Sequence, residues 1–134
     1  MNFILKIIRD FLYDIYYQKS YSQEGEDLII HKFFNYKDKG FYIDIGAHHP
    51  KKFSNTCLLY DKGWSGINID ANPGSMKLFI IFRKRDINIE VGVGKNLNYN
   101  YYYIFNEPAV NTFSEIQKDF NLKNGYFLLN KKKV

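Results

Sequence analysis

The chain has 134 residues, enough for one small domain. Its 46% hydrophobic and 19% aromatic residues supply a core and exclude a disordered segment. A net charge of +5, much of it in Arg83-Lys84-Arg85 and Lys131-Lys132-Lys133, comes with no recognised nucleic-acid module, so no nucleic-acid partner is expected.

In chain order, Phe3, Ile4, Ile7, Ile8, Phe11, Leu12 and Ile15 recur at helical spacing, with Lys6, Arg9, Asp10 and Asp14 between them. Residues 1–20 therefore read as an amphipathic helical segment preceding a domain over 21–134. Its charges and the lack of a small-residue cleavage site speak against a signal peptide. The helix is expected to pack on the domain; the other use of residues 1–17 is weak contact with a membrane surface or a partner. No apolar run approaches the ~20 residues of a membrane span. A second helix is predicted over 26–34, with Leu28, Ile29 and Phe33 on its buried side, and Lys37-Asp38-Lys39-Gly40 forms a turn.

Residues 40–45 then read as a nearly all-apolar strand, the pattern of a strand covered on both faces. A helix over 54–62 follows, with Ser54 as N-cap and Gly63 as stop. The next strand is Gly66-Ile67-Asn68-Ile69-Asp70, and Asn72-Pro73 starts a helix running to about Arg83. A third strand spans 87–93, and an exposed or irregular fourth spans 99–105. A short helix near 114–120 and a weakly patterned end complete the chain, with Lys131 to Lys133 expected to be solvated. Strands alternating with helices imply βαβ units and a largely parallel sheet. Trp64 and Cys57 read as packing residues, and Cys57, the single cysteine, allows no internal disulfide. A reducing cytoplasm fits that usage best.

In an open parallel sheet, ligands bind beyond the carboxyl ends of the strands. Asp44 lies near the end of its strand, and Gly46-Ala47 form the turn leaving it, where glycine lets backbone approach a ligand closely. Asp70 ends the next strand 24 residues after Gly46, close to the usual spacing of an acid that holds ribose hydroxyls. A dinucleotide would want G-x-G-x-x-G, yet one glycine is followed by His48-His49-Pro50-Lys51-Lys52. With no GK[ST] either, a ligand carrying ribose and adenine without phosphate suits the turn better, and S-adenosylmethionine is such a ligand.

Several strings then stand in order over residues 21 to 114: Tyr21-Ser22-Gln23-Glu24-Gly25-Glu26-Asp27, the segment from Gly40 to Pro50, Phe53-Ser54-Asn55-Thr56, and Gly63 to Pro73. Arg83 to Asn88, Phe105-Asn106-Glu107-Pro108-Ala109 and Asn111-Thr112-Phe113 continue the series. Together they resemble the FkbM family of methyltransferases. The resemblance implies an α/β, Rossmann-like class I methyltransferase fold that moves a methyl group from S-adenosylmethionine to a hydroxyl. The acceptor would be a sugar or a small secondary metabolite. By that resemblance Asp44, Gly46 and Ala47 would line the methionine end of the cofactor, Asp70 would hold its ribose, and Asn72 would lie beside the adenosine. Glu90-Val91-Gly92 would reach towards the adenine, and Ser22, Gln23, Asn55 and Thr56 would face the same pocket.

Methyl transfer to a hydroxyl also needs a base, and His48 or His49 is the nearest, imidazole titrating close to neutral pH. The alternative is that both histidines simply cap the following helix or bond backbone. The pair with a distant His31 falls short of a metal-ligand set, so no metal is expected. Nothing after Thr112 resembles the family's later Ile-Asp-x-Glu-Gly-like segment. The resemblance therefore implies an incomplete parallel βαβαβ half whose lone-chain catalysis is in doubt. Its bare sheet edge would call for a partner chain or a homodimer. A non-catalytic nucleoside-binding or assembly module, and a peripheral protein using its N-terminal helix, are the competing expectations.

Overall fold

The computed structural model describes residues 3–12, 18–94 and 100–134. Helix α1 spans Phe3–Leu12, as its apolar spacing dictates. Its Phe3, Ile4, Ile7, Ile8 and Phe11 are all exposed, so it does not pack on the domain as expected. The rest of the expected segment, at 13–17, lies outside the described residues.

Helix α2, Glu26–Phe33, starts after Gly25 at φ 86, with Glu26 and Asp27 in its first turn where carboxylates suit the helix dipole. Its buried residues are Asp27 and His31, with Ile30 partly buried. Ile29 and Phe33 are exposed, contrary to the sequence expectation. The reason is Asp27, which turns inward to accept Ser20 Oγ at 2.7 Å, Tyr21 N at 2.8 Å and Ser22 Oγ at 2.9 Å. With Asp27 turned inward, Ile30 rather than Phe33 packs against Tyr42, Leu59 and Trp64.

Strand β1 (Phe41–Ile45), α3 (Cys57–Asp61), β2 (Ser65–Asp70), α4 (Met76–Phe82) and β3 (Ile87–Glu90) follow as two βαβ units. They make a three-stranded parallel sheet in the order β1-β2-β3. The fold is thus mixed α/β, with the predicted parallel half in place. Both of its helices are shorter than expected. Residues 54–56 turn before α3, Ser54 Oγ accepting Cys57 N at 3.1 Å, and residues 72–75 turn before α4, Asn72 O accepting Ser75 N at 3.1 Å. Pro73 thus stands in a turn, ahead of the first helical residue. Gly63, at φ 105, closes α3 as expected.

The remainder departs from a wholly parallel plan. Strand β4, Tyr101–Phe105, pairs antiparallel with β5, Leu128–Lys133, in a separate two-stranded sheet. Between them lie a 3₁₀ turn at Pro108–Val110 and α5, Glu115–Lys123, capped by Ser114 Oγ accepting Gln117 N at 3.2 Å. Rather than exposed or irregular, β4 buries Tyr102, Tyr103 and Phe105, and Lys131 to Lys133 are strand residues. A lysine run has low strand propensity, and β4 overrides it by offering a ladder and aromatic faces; Lys131 Nζ sits 3.8 Å from the Tyr101 ring centroid.

The helices cover one face of the parallel sheet. Tyr42 packs with Leu59 and Trp64, and Ala47 with Met76 and Phe79. Arg83, within the basic run Arg83-Lys84-Arg85, is only 1% exposed. Its Nε and Nη2 donate to Pro50 O at 3.0 and 2.7 Å, and Nη1 donates to Tyr42 Oη at 3.0 Å and Thr56 O at 3.2 Å. Nη2 also donates to Ser54 Oγ at 3.1 Å, and Asp86 Oδ2 lies 3.8 Å from Nη1. Asp86 in turn accepts Tyr42 Oη at 2.5 Å, Gly66 N at 2.8 Å and Asn68 Nδ2 at 2.9 Å. A buried guanidinium survives only when paired and bonded in this way. The network ties the turn after β1, the lead into α3, the end of α4 and strands β1 and β2 into one body.

Candidate functional site

Because β1 and β2 run parallel with Ile45 beside Ile69, the ends of both strands lie together. Gly46 N and Ala47 N both donate to Ile69 O, at 2.8 and 3.1 Å. Gly46 takes φ +79, and no atom lies within 4 Å of where a β-carbon would stand, so the space above this turn is open. Asp70, 8% exposed, bridges the two strand ends. Its Oδ2 accepts His48 N at 2.8 Å and its Oδ1 accepts Asn72 N at 2.7 Å. Each oxygen keeps a second lone pair for a further donor. Val91 N donates to Asp70 O at 3.0 Å, which brings the Val91-Gly92 segment to the same rim.

Asp44 is set deeper. Its Oδ2 accepts Thr56 Oγ1 at 2.7 Å, and burial raises its pKa above the usual carboxylate value, opposed by the Thr56 hydrogen bond and the Arg83 charge. Thr56 is buried beside it, held by the same turn whose carbonyl binds Arg83. Ser22 is committed to Asp27, and Tyr21 O accepts Ser54 N at 3.0 Å, placing that segment alongside the 54–56 turn. Gln23 and Asn55 are exposed and take no part in the hydrogen bonds of this cluster.

The two histidines differ. His48 stands at φ 54, a left-handed conformation that is uncommon for a residue with a side chain. Its half-buried ring makes no hydrogen bond among the described residues. His49 Nδ1 accepts Lys51 N at 3.0 Å and Lys52 N at 2.9 Å, so this imidazole caps the turn after it. Burial, helped by the charges of His48, Lys52 and Lys51, lowers the His49 pKa and holds it neutral.

Three further residues complete the rim and were not singled out as site residues in the sequence. Tyr102 is buried, and its hydroxyl pKa is raised first by burial and then by the Asp70 charge. Asn111 Nδ2 donates to Asn72 Oδ1 at 3.3 Å while its Oδ1 accepts Phe105 N at 2.7 Å, joining β4 to the β2 loop. Phe113 packs on Tyr102 with ring centroids 4.7 Å apart, and a β-carbon on Gly92 would come within 2.7 Å of its ring. An aromatic wall thus stands where the third strand ends. The Asn111-Thr112-Phe113 string was a sequence signal for it.

Among the described residues no group of three or more His, Cys, Asp or Glu side chains is placed to hold a metal ion, and no helix is long and apolar enough to cross a membrane. A cavity of about 590 Å³ lies away from this rim, on the α2–α3 side, lined by Leu28, His31, Lys32, Tyr36, Leu58 and Lys62 among others. It includes none of the residues assigned to the cofactor. Comparison with protein-family models, with curated proteins and with solved structures finds no match to the chain.

Proposed function

We propose that the chain is an S-adenosylmethionine-binding domain of the FkbM type, a partial Rossmann-like class I methyltransferase acting on a hydroxyl of a saccharide or small metabolite in the cytoplasm. The observation that carries this reading is the Asp70 carboxylate lying beside the open Gly46 turn at the shared end of two parallel strands. That arrangement suits a ribose, whose hydroxyls donate to a carboxylate, and it lacks the glycine-lined helix start that a pyrophosphate wants.

The residues present fit the group. Asp70 has lone pairs left for the ribose hydroxyls, and Asn72 stands beside it. Gly46 and Ala47 leave backbone access for the methionine part, near Asp44. Val91, Gly92 and the Phe113 ring offer a flat apolar wall to the adenine. When bound, the cofactor supplies a methyl group activated by a sulfonium. The protein's share is alignment, worth up to roughly 7–11 kcal/mol of barrier. Removal of the acceptor's proton falls to His48 Nδ1 or Nε2, worth about 10²–10⁴-fold. His49 is less suited, since the lone pair on its Nδ1 already receives two backbone N–H groups.

Isothermal calorimetry with S-adenosylmethionine tests the binding step. Saturable heat that disappears in Asp70→Ala supports it, and no heat from the folded chain overturns it. Methyl transfer to saccharide acceptors then separates an enzyme from a module that only binds the nucleoside.

A further inference from the structure

The second face of the parallel sheet is bare. Odd-numbered residues point there, and the register aligns them in two rows: Ile43 beside Ile67 beside Ile87, and Ile45 beside Ile69 beside Ile89. Phe41 extends the patch. Exposure is 60% for Ile43, 63% for Ile45, 58% for Ile87 and 59% for Phe41. Strands of a parallel sheet are ordinarily covered on both faces, and six isoleucines in two straight rows make a flat apolar platform. The largest contiguous apolar patch on a protein surface is often an interaction surface.

The same chain carries a matching shape. Along one stripe of α1, Phe3, Ile4, Ile7, Ile8 and Phe11 are exposed, Phe11 at 88%. Helix α1 has no partner element of note among the described residues. An amphipathic helix laid over a sheet face is how α/β layers close.

We propose that two copies of this chain pair by reciprocal exchange of α1, the helix of each covering the isoleucine platform of the other. The interface is isologous, so a twofold axis closes it at a dimer. Area supports the reciprocal form. With about 100 Å² of apolar surface per large aliphatic side chain, the platform and the α1 stripe each expose roughly 300–400 Å². Either alone is about half of the ~800 Å² that each partner gives to a stable interface, and together they approach it. The proposal is independent of what binds at Asp70.

Sedimentation of the full chain over a range of concentrations, with site-directed disulfides, tests it. A chain carrying Ile7→Cys mixed with one carrying Ile45→Cys is expected to give a mixed disulfide dimer on mild oxidation, the native Cys57 being buried. Ile45→Lys should sediment as a monomer while keeping its circular dichroism, because Ile45 is already exposed in the single chain. A wild-type chain that stays monomeric at every concentration overturns the proposal. So does an internal disulfide at monomer mass in the Ile7→Cys, Ile45→Cys double variant, which would put α1 on its own sheet. Monomeric wild-type chain co-sedimenting with vesicles of mixed neutral and anionic phospholipid also overturns it, by giving α1 to a membrane.

Discussion

Asp70 reaches across from the end of β2 to accept the backbone N–H of His48 at 2.8 Å, joining the Gly46 and Ala47 bonds to Ile69 O in holding the turn after β1 against its neighbouring strand. The same carboxylate therefore has a structural duty and a proposed ligand duty. Charge-assisted hydrogen bonds of this kind contribute about 1.5–3 kcal/mol. In Asp70→Asn the side-chain amide keeps one acceptor oxygen but turns an NH₂ towards the second backbone N–H. The substitution is expected to lower unfolding free energy by about 1–3 kcal/mol in urea melts. Affinity for S-adenosylmethionine should drop at least tenfold by calorimetry. A variant as stable and as tightly binding as wild type would show that the carboxylate does neither job.

Arg83 gives a second, larger expectation. Its guanidinium is buried against three carbonyl or hydroxyl groups of the segments around Pro50, Ser54 and Thr56, with Tyr42 Oη and Asp86 alongside. Arg83→Met fills much of the volume but strands Asp86 and the Pro50 carbonyl. Removing one partner from a buried ion pair costs about 3–5 kcal/mol, a large share of the 5–15 kcal/mol that holds a small domain together. Thermal melts should show a loss of that order. A loss under 1 kcal/mol would mean that Arg83 reaches water.

The two histidines are adjacent in sequence and should behave oppositely on substitution. His48 sits at φ 54, where glycine relieves backbone strain of order 1–3 kcal/mol. His48→Gly should melt at or above the wild-type temperature and yet abolish methyl transfer if His48 is the base. His49→Ala loses the acceptor for Lys51 N and Lys52 N, and should cost about 0.5–2 kcal/mol, the usual effect of losing a cap. A destabilised His48→Gly together with a neutral His49→Ala would reverse the assignment.

The sequence showed what depends on local pattern. Alternating strands and helices foretold β1, β2 and β3, and the Gly46 and Asp70 positions foretold which strand ends meet. It missed what depends on long-range pairing. Lys131 to Lys133 are exposed, as expected of a solvated end, yet strand propensity could not reveal that β4 would offer them a ladder. The burial of Arg83 was not legible because its partners, Pro50, Ser54 and Asp86, converge only through two crossovers. The α2 face was misjudged by hydrophobicity alone, as a buried carboxylate, Asp27, sets the helix rotation. Residues 40–45 were expected to form a strand covered on both faces, and β1 instead leaves Phe41, Ile43 and Ile45 exposed on one of them.

Cys57 supplies a pH test of how tightly the α3 side is closed. Burial pushes its thiol up to about 11 from an ordinary value of 9.0. The unfolded chain therefore gives up this proton first as pH rises. The stability the thiol contributes is whole below about pH 9 and is lost as pH climbs through 11. Tyr42 and Tyr102, also raised by burial, weaken the fold in alkali too, but they do so equally in a Cys57→Ala chain. The stability difference between wild type and Cys57→Ala should thus shrink between about pH 9 and pH 11 in paired urea melts. At neutral pH the native thiol should resist iodoacetamide and react only on unfolding, since the thiolate is the nucleophile. Rapid native-state labelling, or a difference that stays flat across the window, would mean that α3 opens to solvent and that the Arg83 network beneath it is not closed.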